Sequence, residues 1–325
     1  MTTLHPLPAT LTDPHGRLAR GRWVGELPTD PVPVGARGGR VRRWYYVGAA
    51  DGRAQDGLLA VGAAVVDLGA VAVAFAWASM GGRTVTWETR RPLGRGAWVA
   101  ATPAGGAGLR SRDARMDLLG DGGLDLDVPV AGGRLAVRVR GEQPVAPVVL
   151  STATPRGGWN VTQKAAGNAV SGRIALGAAQ YDLGEDAGGW RDWTSGRQDR
   201  RTTWRWAAGA GTDADGRRVG LNASTGMNGE GPGEDLLWWE GRPHPLDVER
   251  LAPQDLPEGQ WRVSGPGWAL RFEPEGVRAA DENMLVLRSR YVQPIGRFVG
   301  TLPDPDGRVV PVTLSGVTED HLAVW

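Results

Sequence analysis

Apolar and polar residues alternate along short stretches of this chain, a pattern typical of β-strands that bury one face. In one such stretch, Leu124, Leu126 and Val128 alternate with Asp125 and Asp127. Turn signals rich in glycine and aspartate separate successive runs. Because the strand-like runs do not alternate with helices, βαβ folds are disfavoured. The pattern predicts an all-β barrel or sandwich.

The predicted elements are short strands joined by turns, with one short helical candidate at residues 112–119. In the first half, strands are predicted at residues 43–47, 58–67, 71–77, 83–89, 124–130 and 134–140. In the second half, they are predicted at residues 201–208, 219–224, 236–240, 261–263, 268–273, 284–291, 297–302, 309–314 and 321–325. Turns or loops are predicted at residues 68–70, 132–133, 213–216, 240–241, 275–276, 281–283, 306–307 and 319–321.

The stretch from residue 189 to 224 combines a predicted hairpin with a high density of tryptophan and charge. If its first predicted strand forms, Trp204 and Trp206 share one face while Arg201 and Arg205 share the other. Tryptophan favours a pleated, half-buried surface. The two indoles therefore either fill a core or line a pocket for an apolar ligand.

Asp192 and Arg201 belong to the densest group of charges beside these aromatic residues, and Asp192 is predicted to lie in a loop before the hairpin. An arginine inside the fold needs a partner, which Asp192, Asp199 or Glu234 can supply. We favour a buried ion pair that fixes this loop over a catalytic role. Arg201→Ala is therefore expected to destabilise the protein more than removal of a surface arginine such as Arg53.

Lys164 is the only lysine among the 37 Lys and Arg residues of the chain. A chain so rich in arginine would tolerate arginine at an exposed site, so the retained lysine suggests a place where a guanidinium does not fit. The functional interpretation is a general acid/base or a cation beside an anionic group. The alternative is a solvated strand residue.

Composition excludes several functional classes. The net charge of +1 implies no strong field for nucleic acid, and the absence of cysteine excludes a thiol nucleophile. The four histidines lack metal-ligand spacing, and the chain has neither a phosphate-binding glycine loop nor a Gly-x-Ser-x-Gly motif, so we expect no metal and no cofactor. We see no secretion signal and no membrane span, and expect a cytoplasmic protein.

Several motifs occur in order along nearly the whole chain. They are residues 43–46; Thr162, Lys164 and Gly172; Asp192 and Gly196; Arg201, Thr203, Trp204, Trp206 and Ala207; Gly220, Leu221 and Asn222; Tyr291, Gln293, Gly296, Phe298 and Gly300; and residues 316–321. Through these motifs the chain resembles the bacterial and fungal family named domain of unknown function 2804. That family is similar to tandem lipocalin-like proteins, which include carotenoid hydratases of the hydroxyneurosporene synthase type and fungal pericyclases.

The resemblance implies two lipocalin-like antiparallel β-barrels in tandem. We place the boundary near residue 157, which gives domains 1–157 and 158–325. The chain departs from the family pattern at Glu234 and Asp235, where a Glu-Asn pair is expected.

Together, the resemblance and the aromatic residues suggest that a lipophilic small molecule binds in an aromatic-lined barrel cavity. Acid/base chemistry without a cofactor, such as hydration, isomerisation or cyclisation, is the leading hypothesis. In that scheme Asp192 or Glu234 moves a proton, and Arg201 and Lys164 stabilise charge. The residues expected to hold the ligand are Trp193, Trp204, Trp206, Asn222 and Gln293.

Two alternatives remain open at this stage. One is a carrier that binds a lipophile without chemistry, and the other is a structural or interaction protein whose barrels are filled with side chains. The oligomeric state is not predicted.

Overall fold

The computed structural model describes residues 4–13, 15, 17–33, 41–52, 57–143, 145–229, 233–254, 259–284 and 287–325. Arg53, chosen above as a surface reference, lies outside these residues. Within them the structure is almost entirely β, and its single helical element is a 3₁₀ turn at Pro103–Gly105. None of the described helical structure is long and apolar enough to cross a membrane.

The described residues form 24 strands. The first fifteen are β1 His5–Pro6, β2 Gly21–Val24, β3 Arg42–Asp51, β4 Leu59–Asp67, β5 Val71–Met80, β6 Arg83–Pro92, β7 Ala97–Val99, β8 Ala107–Arg110, β9 Arg115–Leu118, β10 Leu124–Val130, β11 Gly133–Gly141, β12 Val148–Ala153, β13 Trp159–Leu176, β14 Ala179–Leu183 and β15 Gly188–Arg197. The remainder are β16 Arg201–Asp213, β17 Arg218–Thr225, β18 Leu236–Trp239, β19 Arg242–Pro245, β20 Arg250–Pro253, β21 Trp261–Gly265, β22 Trp268–Met284, β23 Leu287–Pro303 and β24 Val309–Val324.

The strands form two curled, barrel-like sheets. The main path of the first runs β6-β5-β4-β3-β15-β13-β11-β10-β9-β8-β7, and β7 at one end curls back to pack near β3, β4 and β5. The second runs β19-β18-β17-β16-β24-β23-β22-β21-β20, and β20 packs near β16 and β17. Neighbouring strands along both paths are antiparallel, while the short β1 and β2 pair in parallel.

Each sheet encloses its own apolar core, because alternate residues of every strand point to opposite faces. Tyr45 and Trp193 lie in the core of the first sheet, and Phe298 lies in the core of the second. Residues at the alternate positions of these strands point to the opposite faces of the sheets. Tyr46 of the first sheet and Trp206 of the second meet there in a third apolar group, the inter-sheet cluster.

The two sheets approach most closely where β13 meets β17. A bulge in β13 interrupts its pairing with β15 between Ala166 and Asn168, and Gly167 there has a positive φ of 89°. A Cβ atom added to Gly220 of β17 would lie 2.2 Å from the backbone of Ala166. Glycine is therefore required for this backbone-to-backbone contact.

Several predicted turns are instead parts of long strands. Residues 275–276 lie at a bulge within β22, where the pairing with β23 shifts between Pro274 and Gly276. Residues 281–283 continue the same strand, and residues 319–321 lie inside β24. The helical candidate at 112–119 was also wrong, since its second half forms β9.

The change from one sheet to the other falls between Arg197 and Arg201. The boundary predicted near residue 157 does not coincide with it, because β13, β14 and β15 remain hydrogen-bonded to the first sheet. Division of the chain into two domains stays a prediction.

Candidate functional site

A cleft of about 160 Å³ lies between the two sheets. Its walls are largely aromatic and come from both sides: Trp44, Tyr46 and Phe75 from the first sheet, and Trp204, Trp206 and Tyr291 from the second. The expected aromatic lining is therefore present, but the cleft lies outside both barrel interiors, which are occupied by the two apolar cores.

Strand register explains why these side chains meet. In the first sheet Tyr46, Asp192 and Lys164 are direct neighbours across β3, β15 and β13, so their side chains project from the same face. In the second sheet Trp206 pairs with Glu319 across β16 and β24. The two rows face each other across the cleft.

Three buried charged side chains of the cleft, Lys164, Asp192 and Glu234, contact one another, and we call them the lysine cluster. The Lys164 ammonium lies 2.6 Å from an Asp192 carboxylate oxygen and 3.1 Å from a Glu234 carboxylate oxygen. All three side chains are nearly inaccessible, with 5%, 11% and 3% exposed for lysine, aspartate and glutamate. One cation is thus shared by two carboxylates in the protein interior.

Neutral groups complete the hydrogen bonding of both carboxylates. Asp192 also accepts hydrogen bonds of 3.1 Å from the hydroxyls of Thr162 and Thr194. Glu234 accepts one of 2.8 Å from the Asn228 amide. These contacts hold both carboxylates at fixed positions beside the ammonium.

The lysine remains protonated in this environment. Burial alone would lower the pKa of Lys164, but Asp192 and Glu234, through charge and hydrogen bonding, raise the pKa above its ordinary value. The cluster therefore offers a fixed ammonium donor together with a surplus of carboxylate charge.

Asn222 connects the aromatic wall to the lysine cluster. Its side-chain oxygen accepts a 2.9 Å hydrogen bond from the Trp206 indole, and its amide donates at 2.7 Å to the Glu234 carbonyl. Asn222 thus fixes both the ring that lines the cleft and the segment that carries Glu234.

A second polar group, formed by Glu319 and His321, lies beside Trp204. It was not identified from the sequence as part of the site. Glu319 accepts hydrogen bonds from the Trp204 indole at 2.9 Å and from the Gln293 amide at 2.5 Å. His321 Nδ1 lies 3.0 Å from Glu319. The available signal was the alternation of Glu319 and His321 on one face of a strand, which the loop interpretation concealed.

A third set of charges joins the two sheets along the rim of the cleft. The buried Arg278 of β22 donates a 3.0 Å hydrogen bond to Glu88 of β6, and its guanidinium packs against the rings of Phe75 and Tyr291. Next to it, Arg90 of β6 pairs with Glu282 of β22. Both arginines line the cleft.

Four of the nine predicted site residues do not line the cleft. Asn222 and Gln293 lie directly behind its wall, whereas Arg201 and Trp193 lie away from it. Arg201 is exposed on the face of β16 opposite to Trp204, so the expected pairing with Asp192 was wrong. Trp193 is fully buried in the first core, where its indole donates to the Ala100 carbonyl at 3.1 Å. Asp192 lies within β15 rather than in a loop, and this strand position turns Trp193 away from the cleft.

Gln293 and Asp235 lie behind the cleft rather than in its wall. The Gln293 amide donates a hydrogen bond to the Glu319 carboxylate. Asp235 accepts a hydrogen bond of 3.0 Å from the Ser224 backbone N–H, and burial raises its pKa from 3.8 to about 7. The described residues contain no group of three or more His, Asp or Glu side chains that could hold a metal ion.

Comparison with solved structures shows the same fold in proteins of low sequence identity. An AttH-like protein from Nitrosomonas europaea is 14% identical, with a TM-score of 0.53 over 86% of this chain and 92% of that one. Kievitone hydratase from Nectria haematococca is 10% identical, with a TM-score of 0.53 over 99% and 98% of the two chains. No protein in the curated set matches the chain significantly. The model of the family named domain of unknown function 2804 matches residues 5–325, and the chain therefore belongs to that family.

Proposed function

We propose that this protein binds a lipophilic small molecule in the cleft between its sheets and performs cofactor-free acid/base chemistry on it with the lysine cluster. Hydration, isomerisation and cyclisation are the reaction types that such a cluster supports. Each needs a proton added or removed beside an apolar skeleton, and none needs a redox group.

The observation that carries the proposal is the burial of Lys164 between Asp192 and Glu234 in an aromatic-walled cleft. Removing three charges from water is costly, and a packed apolar group at such a place is often equally stable or more stable. Ionisable groups held in a cleft at this cost are candidates for a functional site.

The geometry suggests a role for each member of the cluster. Asp192 has the most exposed side chain of the three and is the proton acceptor toward the cleft. The Lys164 ammonium donates to negative charge that develops on the substrate. Glu234 has the least exposed side chain and keeps the ammonium charged and in place.

The walls define the substrate class. Trp204 and Trp206 present ring surfaces to the cleft, and a cavity of about 160 Å³ accommodates a group comparable to a single aromatic ring. One similar structure carries the name kievitone hydratase, which supports hydration among the three reaction types.

The test begins with lipophile extraction and mass spectrometry of protein purified from its native host. The recovered compound is then incubated with the protein in D₂O, and its mass is followed. We expect gain of a water molecule, or exchange of deuterium at constant skeleton, and we expect Asp192→Asn to abolish this change while retaining binding.

Two results would overturn the proposal in different ways. A compound that binds tightly but is returned unchanged by the wild-type protein identifies a carrier. Failure of any lipophile to co-purify, together with no binding from a panel of polyenes, fatty acids and aromatic polyketides, supports a structural or interaction protein.

A further inference from the structure

Ser289, His321 and Glu319 form a continuous hydrogen-bonded chain in the wall of the same cleft. The Ser289 hydroxyl lies 3.0 Å from His321 Nε2, and His321 Nδ1 lies 3.0 Å from a Glu319 carboxylate oxygen. All three residues line the cleft. Each side chain therefore contacts the next in the order hydroxyl, imidazole, carboxylate.

The carboxylate end of this chain is firmly held. Glu319 is buried and accepts hydrogen bonds from Trp204 and Gln293 as well as from His321. Burial alone would raise the pKa of Glu319, but the contacts with His321, Arg278 and Trp204 lower it below the ordinary value. Glu319 is therefore a carboxylate, which can only accept a hydrogen bond from the histidine.

The imidazole is fixed in both orientation and tautomer. The ring stacks on Trp204 at a centroid distance of 4.0 Å and tilts against Tyr291 at 5.3 Å. The Glu319 carboxylate accepts a hydrogen bond from His321 Nδ1, so the proton of a neutral His321 is assigned to Nδ1. The lone pair of Nε2 then faces the Ser289 hydroxyl. A base in this position can take the hydroxyl proton.

We propose that Ser289 is a nucleophile, that His321 is its general base and Glu319 orients the imidazole, and that this chain hydrolyses esters of lipophilic acids or alcohols. This activity goes beyond the acid/base function above and does not use the lysine cluster. Nucleophile–histidine–carboxylate triads occur on unrelated folds. They are therefore recognised by the geometry of the three side chains, and a Gly-x-Ser-x-Gly motif is not required.

The reaction balances with water as the co-reactant. Ser289 Oγ forms a bond to the ester carbonyl carbon while its proton passes to His321 Nε2. The ester C–O bond then breaks, and the alcohol leaves with that proton. Water attacks the acyl-serine with His321 again as base, which releases the acid and restores the hydroxyl, while Glu319 remains ionised throughout.

Positive charge for the developing oxyanion is available nearby. Glu282 pairs with Ser289 in register across β22 and β23, and Glu282 is bound by Arg90, which lines the cleft. The Arg90 guanidinium lines the same cleft as Ser289 and would donate to the oxyanion.

The absence of cysteine from the chain permits a test that needs no substrate. Ser289→Cys introduces a single thiol, and a histidine poised to accept a proton lowers the pKa of a neighbouring thiol. We expect iodoacetamide to alkylate this variant at pH 6 about ten-fold or more faster than Ser224→Cys, a matched cleft position, because an ordinary thiol has a pKa near 8.5. Adding His321→Gln to Ser289→Cys should remove the advantage.

The wild-type protein is tested in parallel with p-nitrophenyl butyrate and a fluorophosphonate probe. We expect ester hydrolysis and a phosphonate adduct on the peptide that contains Ser289, both lost in Ser289→Ala and both retained in Ser224→Ala. Equal alkylation profiles for the two single-thiol variants, or labelling that persists in a folded Ser289→Ala, would overturn the proposal. Since neither readout involves Lys164, these results are independent of the proposed acid/base function.

Discussion

Single charged residues in the cleft are stabilised by specific partners rather than by solvent. Lys164 contacts two carboxylates, and Asp192 contacts an ammonium and two hydroxyls. Glu319 contacts an indole, an amide and an imidazole. Removal of one member therefore leaves a buried charge without its partner, and such losses exceed the net value of the intact pair.

Replacement of Lys164 tests this dependence. We expect Lys164→Met to lower the free energy of unfolding by about 3–5 kcal/mol at pH 8, because two buried carboxylates would lose their shared cation. Chemical denaturation of the wild type and the variant at pH 8 measures the difference.

Arg201→Ala is the matched control, since Arg201 is an exposed cation. We expect its effect on the free energy of unfolding to stay within about 0.5 kcal/mol. An Arg201→Ala variant as unstable as Lys164→Met would contradict the assignment of the interior charge to Lys164.

Asp235 gives the protein a predicted pH dependence of stability. Its pKa rises from 3.8 to about 7 on folding, so the folded state holds a proton that the unfolded state releases. The stabilising contribution is complete below pH 4 and is lost as the pH rises through about 7. Asp235→Asn should therefore raise the free energy of unfolding at pH 8 by on the order of 2–4 kcal/mol.

Denaturant titrations of wild type and Asp235→Asn across this pH range provide the measurement. The two proteins should be nearly equally stable at pH 4 and diverge as the pH rises. Curves that remain parallel from pH 4 to pH 8 would show that Asp235 does not titrate in this range.

Several residues singled out in the sequence, Lys164, Asp192, Glu234, Trp206 and Asn222, lie together in the structure. Their roles in a functional site stay a prediction, and the sequence did not show how they pair. The predicted pairing of Asp192 with Arg201 was wrong. Strand pairing instead places Lys164 beside Asp192, although the two residues are distant in the chain. Local patterns carry no information about such register.

At the scale of elements, the cleft depends on the contact between the bulge of β13 and strand β17. Gly167 and Gly220 allow the two backbones to touch, close to Lys164 on β13 and Asn222 on β17. This contact sets the distance from the lysine to the segment that carries Glu234.

We expect Gly220→Ala to destabilise the protein by about 1–3 kcal/mol or more, because its methyl group would overlap backbone atoms that cannot rotate away. The separation of the sheets should also weaken the contact between Lys164 and Glu234. Thermal unfolding measures the stability, and the crystal structure of the variant measures the separation.

Gly141→Ala is a suitable comparison, since the nearest atom to its added Cβ would lie 3.3 Å away and its φ is ordinary. Its effect should be clearly smaller. If both alanine variants unfold at the same temperature, the β13–β17 contact is not a special constraint.

The accuracy of element prediction followed the chemistry of the turns. The hairpin at residues 213–216 was predicted correctly, because Asp213 binds the backbone of Asp215 and Arg217 in a tight local turn. The turn predicted at residues 275–276 was wrong, because a bulge uses the same residue types. The neighbouring Pro274 has no N–H for the ladder, so an extra residue is accommodated without reversing the chain.

In the whole molecule, each of the two sheets curls around a filled apolar interior. The outer faces of the two sheets form the opposite walls of one cleft. The resemblance to tandem lipocalin-like proteins predicted the architecture correctly. It also suggested a cavity inside a barrel, whereas the aromatic cleft lies between the sheets. The position of a face relative to the other sheet depends on docking, which the alternation of single strands does not specify.

Calorimetric titration of two tryptophan variants tests whether the ligand binds between the two sheets. The ligand is the tightest binder from a panel of polyenes, fatty acids and aromatic polyketides, and circular dichroism confirms that both variants are folded. Trp204→Ala removes a ring from the cleft, whereas Trp193→Phe alters the core of the first barrel. We expect Trp204→Ala to weaken binding by about 1–3 kcal/mol and Trp193→Phe to leave the affinity unchanged. Weakened binding in Trp193→Phe with unchanged affinity in Trp204→Ala would place the ligand inside the barrel and contradict this account.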